Sequence, residues 1–212
     1  MRPLTVGCGI VLLGVLVFGG VIAFSIWQGL KQSEAIDKFT QSERVLQPVE
    51  KLPPEQAAAL DAALGRFTAA LDKPREETLA LDAAQLNHLL AGYEALADLR
   101  GQLAVRAITP EGIVASICYP INPLPFEKRS RFLVGEITLR PELAAGSAVL
   151  KVTALRVPGK EVPKWFFDQF ALHHLLEKYQ KEAPGRKRAA QLAAFRIEGD
   201  RLVLKSLPWA AR

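Results

Sequence analysis

The chain has 212 residues, half of them apolar, a net charge of +5 at neutral pH and two cysteines, Cys8 and Cys118. One cysteine lies near the N-terminus and the other deep in the chain, which excludes an internal disulfide framework, and the length suits one folded domain with a proper core. The charge is divided: residues 41–100 carry 6 Lys/Arg against 10 Asp/Glu, and residues 101–212 carry 18 against 10, so the basic second half suits either contact with anionic head groups or a solvated surface.

No side chain is ionised from Pro3 to Leu30, between Arg2 and Lys31. The 22 residues from Val6 to Trp27 are long enough, as a helix, to cross a hydrocarbon core about 30 Å thick. Residues 1–30 are therefore expected to form a transmembrane anchor, with Trp27 as an interfacial aromatic. A competing reading is a signal peptide cleaved near Ala23 and Ser25, although the run exceeds an apolar signal core of roughly 7–15 residues. Orientation is contested. Arg2 against Lys31, Lys38 and Arg44 favours a cytoplasmic C-terminal domain, whereas a short basic tail before an apolar run has the form of an export signal. The second argument is preferred, giving a single-pass, signal-anchored protein of the cell envelope with an extracytoplasmic domain.

Residues 31–75 read as a helical stalk or linker. Lys31 to Leu46 continues the helix with Ile36, Phe39 and Leu46 as its apolar positions, until Pro48, Pro53 and Pro54 break it. Pro54 suits the first turn of an alanine-rich helix carrying Leu60, Leu64, Phe67 and Leu71 at helical spacing.

Residues 76–212 read as an α+β domain. Glu77 to Leu81 is a short strand, and Asp82 is an N-cap for a helix that buries Leu86, Leu89 and Leu90 and closes at Gly92. Gln102–Thr109 and Ile113–Tyr119 alternate around Pro110-Glu111-Gly112, the pattern of a hairpin. After a proline-rich loop at 121–130, strands Arg131–Arg140 and Ser147–Val157 are joined around Pro141 and Gly146. Here Phe132 and Val134 mark one apolar face and Leu133, Ile137 and Leu139 the other, so each face requires cover. A helix from Val162 to Gln180, a short helix near Arg186 to Leu192, and a hairpin turned at Gly199-Asp200 complete the chain. The order predicts a curved antiparallel sheet of about six to seven strands packed against a long apolar helix.

The helix from Val162 is apolar on two sides. Trp165, Leu172, Leu175, Leu176 and Tyr179 form one stripe, and Phe166, Phe167 and Phe170 lie almost opposite. One face packs on the sheet; the other needs a second layer, a membrane surface, an acyl chain or another protein. Trp165, Phe166, Phe167 and Phe170, with Phe132 and Val134, are thus the candidate ligand-binding residues. Lys128, Arg129 and Arg131 before the helix and Arg186, Lys187 and Arg188 after it are candidates for head-group or partner contact.

Catalytic chemistry finds no motif. The three histidines, His88, His173 and His174, offer no metal-ligand set, since adjacent His173 and His174 point about 100° apart. No nucleophile elbow, phosphate loop or CxxC is present. The basic residues form short clusters rather than a stripe, which argues against nucleic acid.

From Leu81 onward, the Leu86-Asn87 pair on a helix after the first strand, the following meander, the Gly159…Val162-Pro163 approach to an apolar helix and the closing hairpin resemble the YpmS-like group of single-span extracytoplasmic proteins. That resemblance implies a membrane-tethered accessory domain. The pattern is also similar to tubular lipid-binding domains, in which a curved sheet wraps a long apolar helix. The expected function is a membrane-anchored, non-enzymatic domain that binds an apolar or lipid-like ligand without cofactor or metal. The alternative is a tethered interaction module docking to an envelope protein.

Overall fold

The computed structural model describes residues 31–72, 75–121, 131–144, 147–172 and 187–207. Helical residues 31–39 lead into an extended stretch and then α1 (Pro54–Asp72), β1 (Thr78–Leu81), α2 (Ala83–Gly92) and a 3-10 segment, Glu94–Leu99. Strands β2 (Leu103–Thr109), β3 (Gly112–Ile121), β4 (Arg131–Ala144) and β5 (Ser147–Arg156) follow, then α3 (Lys164–Ala171), β6 (Leu192–Glu198) and β7 (Arg201–Ser206).

The α+β content is as expected, but the single curved sheet is not. The strands divide into a four-stranded antiparallel sheet, β2-β3-β4-β5, and a three-stranded antiparallel sheet, β1-β7-β6. The reason is pairing: β1 forms its ladder with the end of the chain, Leu79 opposite Leu204 and Leu81 opposite Leu202. The first strand and the last hairpin therefore make their own layer instead of extending the meander. The long apolar helix is described only as the eight residues of α3; its expected continuation to Gln180 lies outside the described residues.

The membrane reading is corrected as well. Among the described residues no helix is long and apolar enough to cross a membrane. The run Pro3–Leu30, on which the anchor reading rested, lies outside the described residues. The single-pass, signal-anchored location with an extracytoplasmic domain thus has no support in the structure.

Several boundaries follow from local chemistry. The helix expected to reach Leu46 stops at residue 39. Arg131 closes it: its Nη2 donates to the carbonyls of Asp37 (2.8 Å) and Thr40 (3.1 Å), and its Nε donates to Thr40 Oγ1 (3.1 Å). Lys160 Nζ adds a bond to the Thr40 carbonyl at 3.2 Å. Cations on the last carbonyls of a helix offset its unpaired acceptors and dipole. Gln41 then forms a bridge with Phe132, extending the ladder beside β4 where β5 has ended. Strand β4 runs through Pro141 to Ala144 because Pro141 lies past the end of β3, where no partner needs its missing N–H.

The hairpin turns are two-residue loops, Pro110-Glu111 between Thr109 and Gly112 and Gly199-Asp200 between Glu198 and Arg201. Gly199 has φ +64°, which favours glycine. Asp82 caps α2 with a full capping box: its side chain accepts from the Gln85 backbone at 2.8 Å, and Gln85 Oε1 accepts from the Asp82 N–H at 3.0 Å.

Besides its apolar packing, the capped helix α2 is tied to the edge of the four-stranded sheet by the Asn87 side chain. Asn87 Nδ2 donates to the Val105 carbonyl and Asn87 Oδ1 accepts from the Val105 N–H, both at 2.8 Å. The amide takes the place of a neighbouring strand at Val105, where the β2–β3 register shifts. His88 on the same helix accepts the Leu52 N–H through Nδ1 at 3.1 Å, fixing the extended stretch before α1. Residues of the expected stalk share the core: Ile36, Phe39, Leu60 and Phe67 belong to the same buried apolar cluster as Leu81, Val105, Leu133, Ile137 and Leu202.

Asn87→Ala is expected to lower the unfolding free energy by about 1–3 kcal/mol in a urea titration, since two backbone groups lose their partners. Asn87→Asp should cost at least as much, because a carboxylate brings no proton for the Val105 carbonyl. A loss below about 0.5 kcal/mol for both would show that the leucines of α2 dock it unaided.

Candidate functional site

The inward faces of the two sheets are set by alternation. In the four-stranded sheet, Leu103, Val105, Ile113, Ala115, Ile117, Ile137, Leu139, Leu150 and Val152 fall on one side. In the three-stranded sheet, Leu79, Leu81, Phe195, Ile197, Leu202 and Leu204 do so. The two sheets approach each other through β4 and β6. Towards β1 and β2, the connecting α2 and 3-10 segment complete the wall.

An apolar cavity of about 280 Å³ lies in this space. Leu81, Phe195, Leu202 and Leu204 border it from the three-stranded sheet, and Leu103, Val105, Ile113, Leu139, Ala148 and Leu150 from the four-stranded sheet. Leu86, Leu89 and Leu90 of α2 and Leu96 and Leu99 of the 3-10 segment complete it. Leu86, Leu89, Leu96, Leu99, Leu103, Leu150 and Leu204 are only half-buried although they face inward. Each therefore keeps part of its apolar surface uncovered by the described residues.

Among the described residues no ionisable or hydroxyl-bearing side chain borders the cavity, so these offer it no nucleophile, proton donor or metal ligand. Among the described residues no group of three or more His, Cys, Asp or Glu side chains gathers as a metal site. Near the roof, the Tyr93 hydroxyl donates to Asp61 Oδ1 at 3.2 Å, tying the start of the 3-10 segment to α1. Burial, then the Asp61 carboxylate, holds the Tyr93 phenol above its ordinary value.

The residues proposed from sequence lie elsewhere and are divided. Phe166 is buried in an aromatic cluster, with Phe39 edge-on at 4.7 Å, Trp165 at 5.8 Å and Phe170 stacked at 6.0 Å. Phe170 also meets Tyr119 edge-on at 5.9 Å. The cover that the aromatic helix required is thus the protein itself, chiefly Phe39. Phe167 is half-buried against the same core. Phe132 and Val134 pair with Pro120 and Cys118, so they point away from the face that carries Tyr119 and Leu133. The sheet therefore separates them from Phe170. Cys118 is a buried free thiol.

The basic residues are likewise distributed. Arg131 is bound internally, with an ion pair to Asp37 at 3.0 Å besides its bonds to the helix end. Arg188 pairs with Asp72 at 3.2 Å, and Lys187 is exposed. Lys128, Arg129 and Arg186 lie outside the described residues.

The cavity residues escaped sequence reasoning because each reads as ordinary core. Leu86, Leu89 and Leu90 are a normal helical stripe, and Leu202 and Leu204 a normal strand face. Compared with known proteins, the chain matches no family model, no curated protein and no solved structure.

Phe166→Ala is expected to destabilise the protein by about 3–5 kcal/mol, the range for removing a buried aromatic ring. Thermal unfolding measures it. A loss below about 1 kcal/mol would mean that the aromatic cluster is not part of the cooperative core.

Proposed function

We propose that this chain is a non-enzymatic binding domain for an apolar or lipid-like ligand, held between the two sheets instead of against the helix at Lys164–Ala171. The observation that carries this reading is the cavity of about 280 Å³ walled by apolar side chains alone. Several of its leucines are only half-buried, so an apolar occupant would cover surface that the described residues leave bare, at about 25 cal/mol per Å² of apolar area. The volume is near the low end of ligand pockets, roughly 300–1,000 Å³, and well above the ~150 Å³ that admits a benzene ring.

The alternative, an interaction module with a filled core, requires dry, close packing between the sheets. The half-buried leucines at the cavity wall weigh against it.

Full-length protein should take up cis-parinaric acid with a rise in fluorescence, and native mass spectrometry should show bound adducts. Ala148→Phe, which places a ring in the cavity, should abolish uptake while leaving the melting temperature unchanged or higher. Leu150→Trp, on the same strand, serves as a second blocking variant. Uptake by both folded variants at the wild-type level would remove the cavity from the function.

A further inference from the structure

The wall of the cavity says more than that its occupant is apolar. Resting on the ligand-binding reading above, we infer that the occupant is the single aliphatic chain of an amphiphile, and that its polar end stays outside the cavity.

The first ground is that every described side chain in the wall is apolar. A hydroxyl, amide or carboxylate drawn inside would lose water and find no partner. Burying a neutral polar group without a hydrogen bond is strongly unfavourable, and burying a charge more so. The enclosed portion must therefore be hydrocarbon throughout. Selection falls on its length and cross-section, and the polar end contributes little.

The second ground is the kind of apolar side chain. Apart from Phe195, every described wall residue is aliphatic, and most are leucine. Flat aromatic ligands gain affinity from stacked or edge-on rings. This protein has such rings, but they are used in packing Phe39, Phe166 and Phe170 against one another.

The third ground is positional. Strand positions favour β-branched residues, yet Val105 and Ile113 are the only two β-branched side chains among the ten described strand residues that border the cavity. The cavity-facing strand positions instead include Leu81, Leu103, Leu139, Leu150, Leu202 and Leu204. Leucine branches one carbon further out and keeps freedom at its first side-chain torsion that β-branched residues lack. A wall of leucines adapts to a flexible chain.

The test is displacement of cis-parinaric acid from the full-length protein by a panel of saturated acids, the matching alkanols and methyl esters, a mid-chain hydroxy acid and naphthalene. Affinity should rise about fourfold per added methylene until the cavity is full, then level off. Acid, alcohol and ester of one length should agree within about threefold, and the mid-chain hydroxyl should weaken binding by about tenfold or more. Naphthalene should compete more weakly than the chains. Equal binding of the hydroxy acid, or tighter binding of naphthalene, would overturn the aliphatic-chain inference while leaving apolar binding intact. Failure of cis-parinaric acid itself to bind, with the protein folded, would overturn the underlying reading instead.

Discussion

Everything in this structure depends on how two apolar sheet faces are kept from closing on each other. Sheets that pack face to face usually sit about 10 Å apart with interdigitating side chains. Here they approach through β4 and β6, while on the other side α2 and the 3-10 segment contribute leucines to the space between them. The chain passes from the three-stranded to the four-stranded sheet through this segment, so its position sets the separation. Asn87 fixes that position by replacing a strand neighbour at Val105, and the Asp82–Gln85 capping box fixes where the helix begins.

The opposite end of the four-stranded sheet is closed by different means. The helical residues at 31–39 and α3 bring Phe39, Phe166 and Phe170 onto the face that carries Tyr119 and Leu133. Arg131 and Lys160 lock the helix end in place through its carbonyls. The aromatic side chains thus belong to the rigid part of the molecule, and the aliphatic ones border its open space.

Much of the secondary structure was legible in the residues. The turn at Pro110-Glu111, the cap at Asp82 and the closing turn at Gly199-Asp200 all act over a few residues and stand where local chemistry puts them, whereas the alternation that groups Leu103, Val105 and Ala107 on one face is broken where the ladder shifts register between Val105 and Ala107. The misplaced ends have particular causes. Strands β3 and β4 run through Pro120 and Pro141 because a neighbour has already ended there, and the first helix stops short because Arg131, some ninety positions away, takes its carbonyls. The candidate site was not legible. Phe132 and Phe170 both belong to apolar patterns, but only register shows that a sheet stands between them.

The sequence by itself determined the α+β character and the order of helices and strands, because periodicity and turn chemistry are short-range. Only the tertiary structure decided that β1 joins the last hairpin as a separate sheet, and that the leucines of α2 border a space the other described residues do not fill. Strand pairing joins residues more than a hundred positions apart, as Leu79 and Leu204 are. Whether an apolar side chain meets a neighbour or an empty volume depends on the summed shapes of several elements, which no single stretch of residues contains.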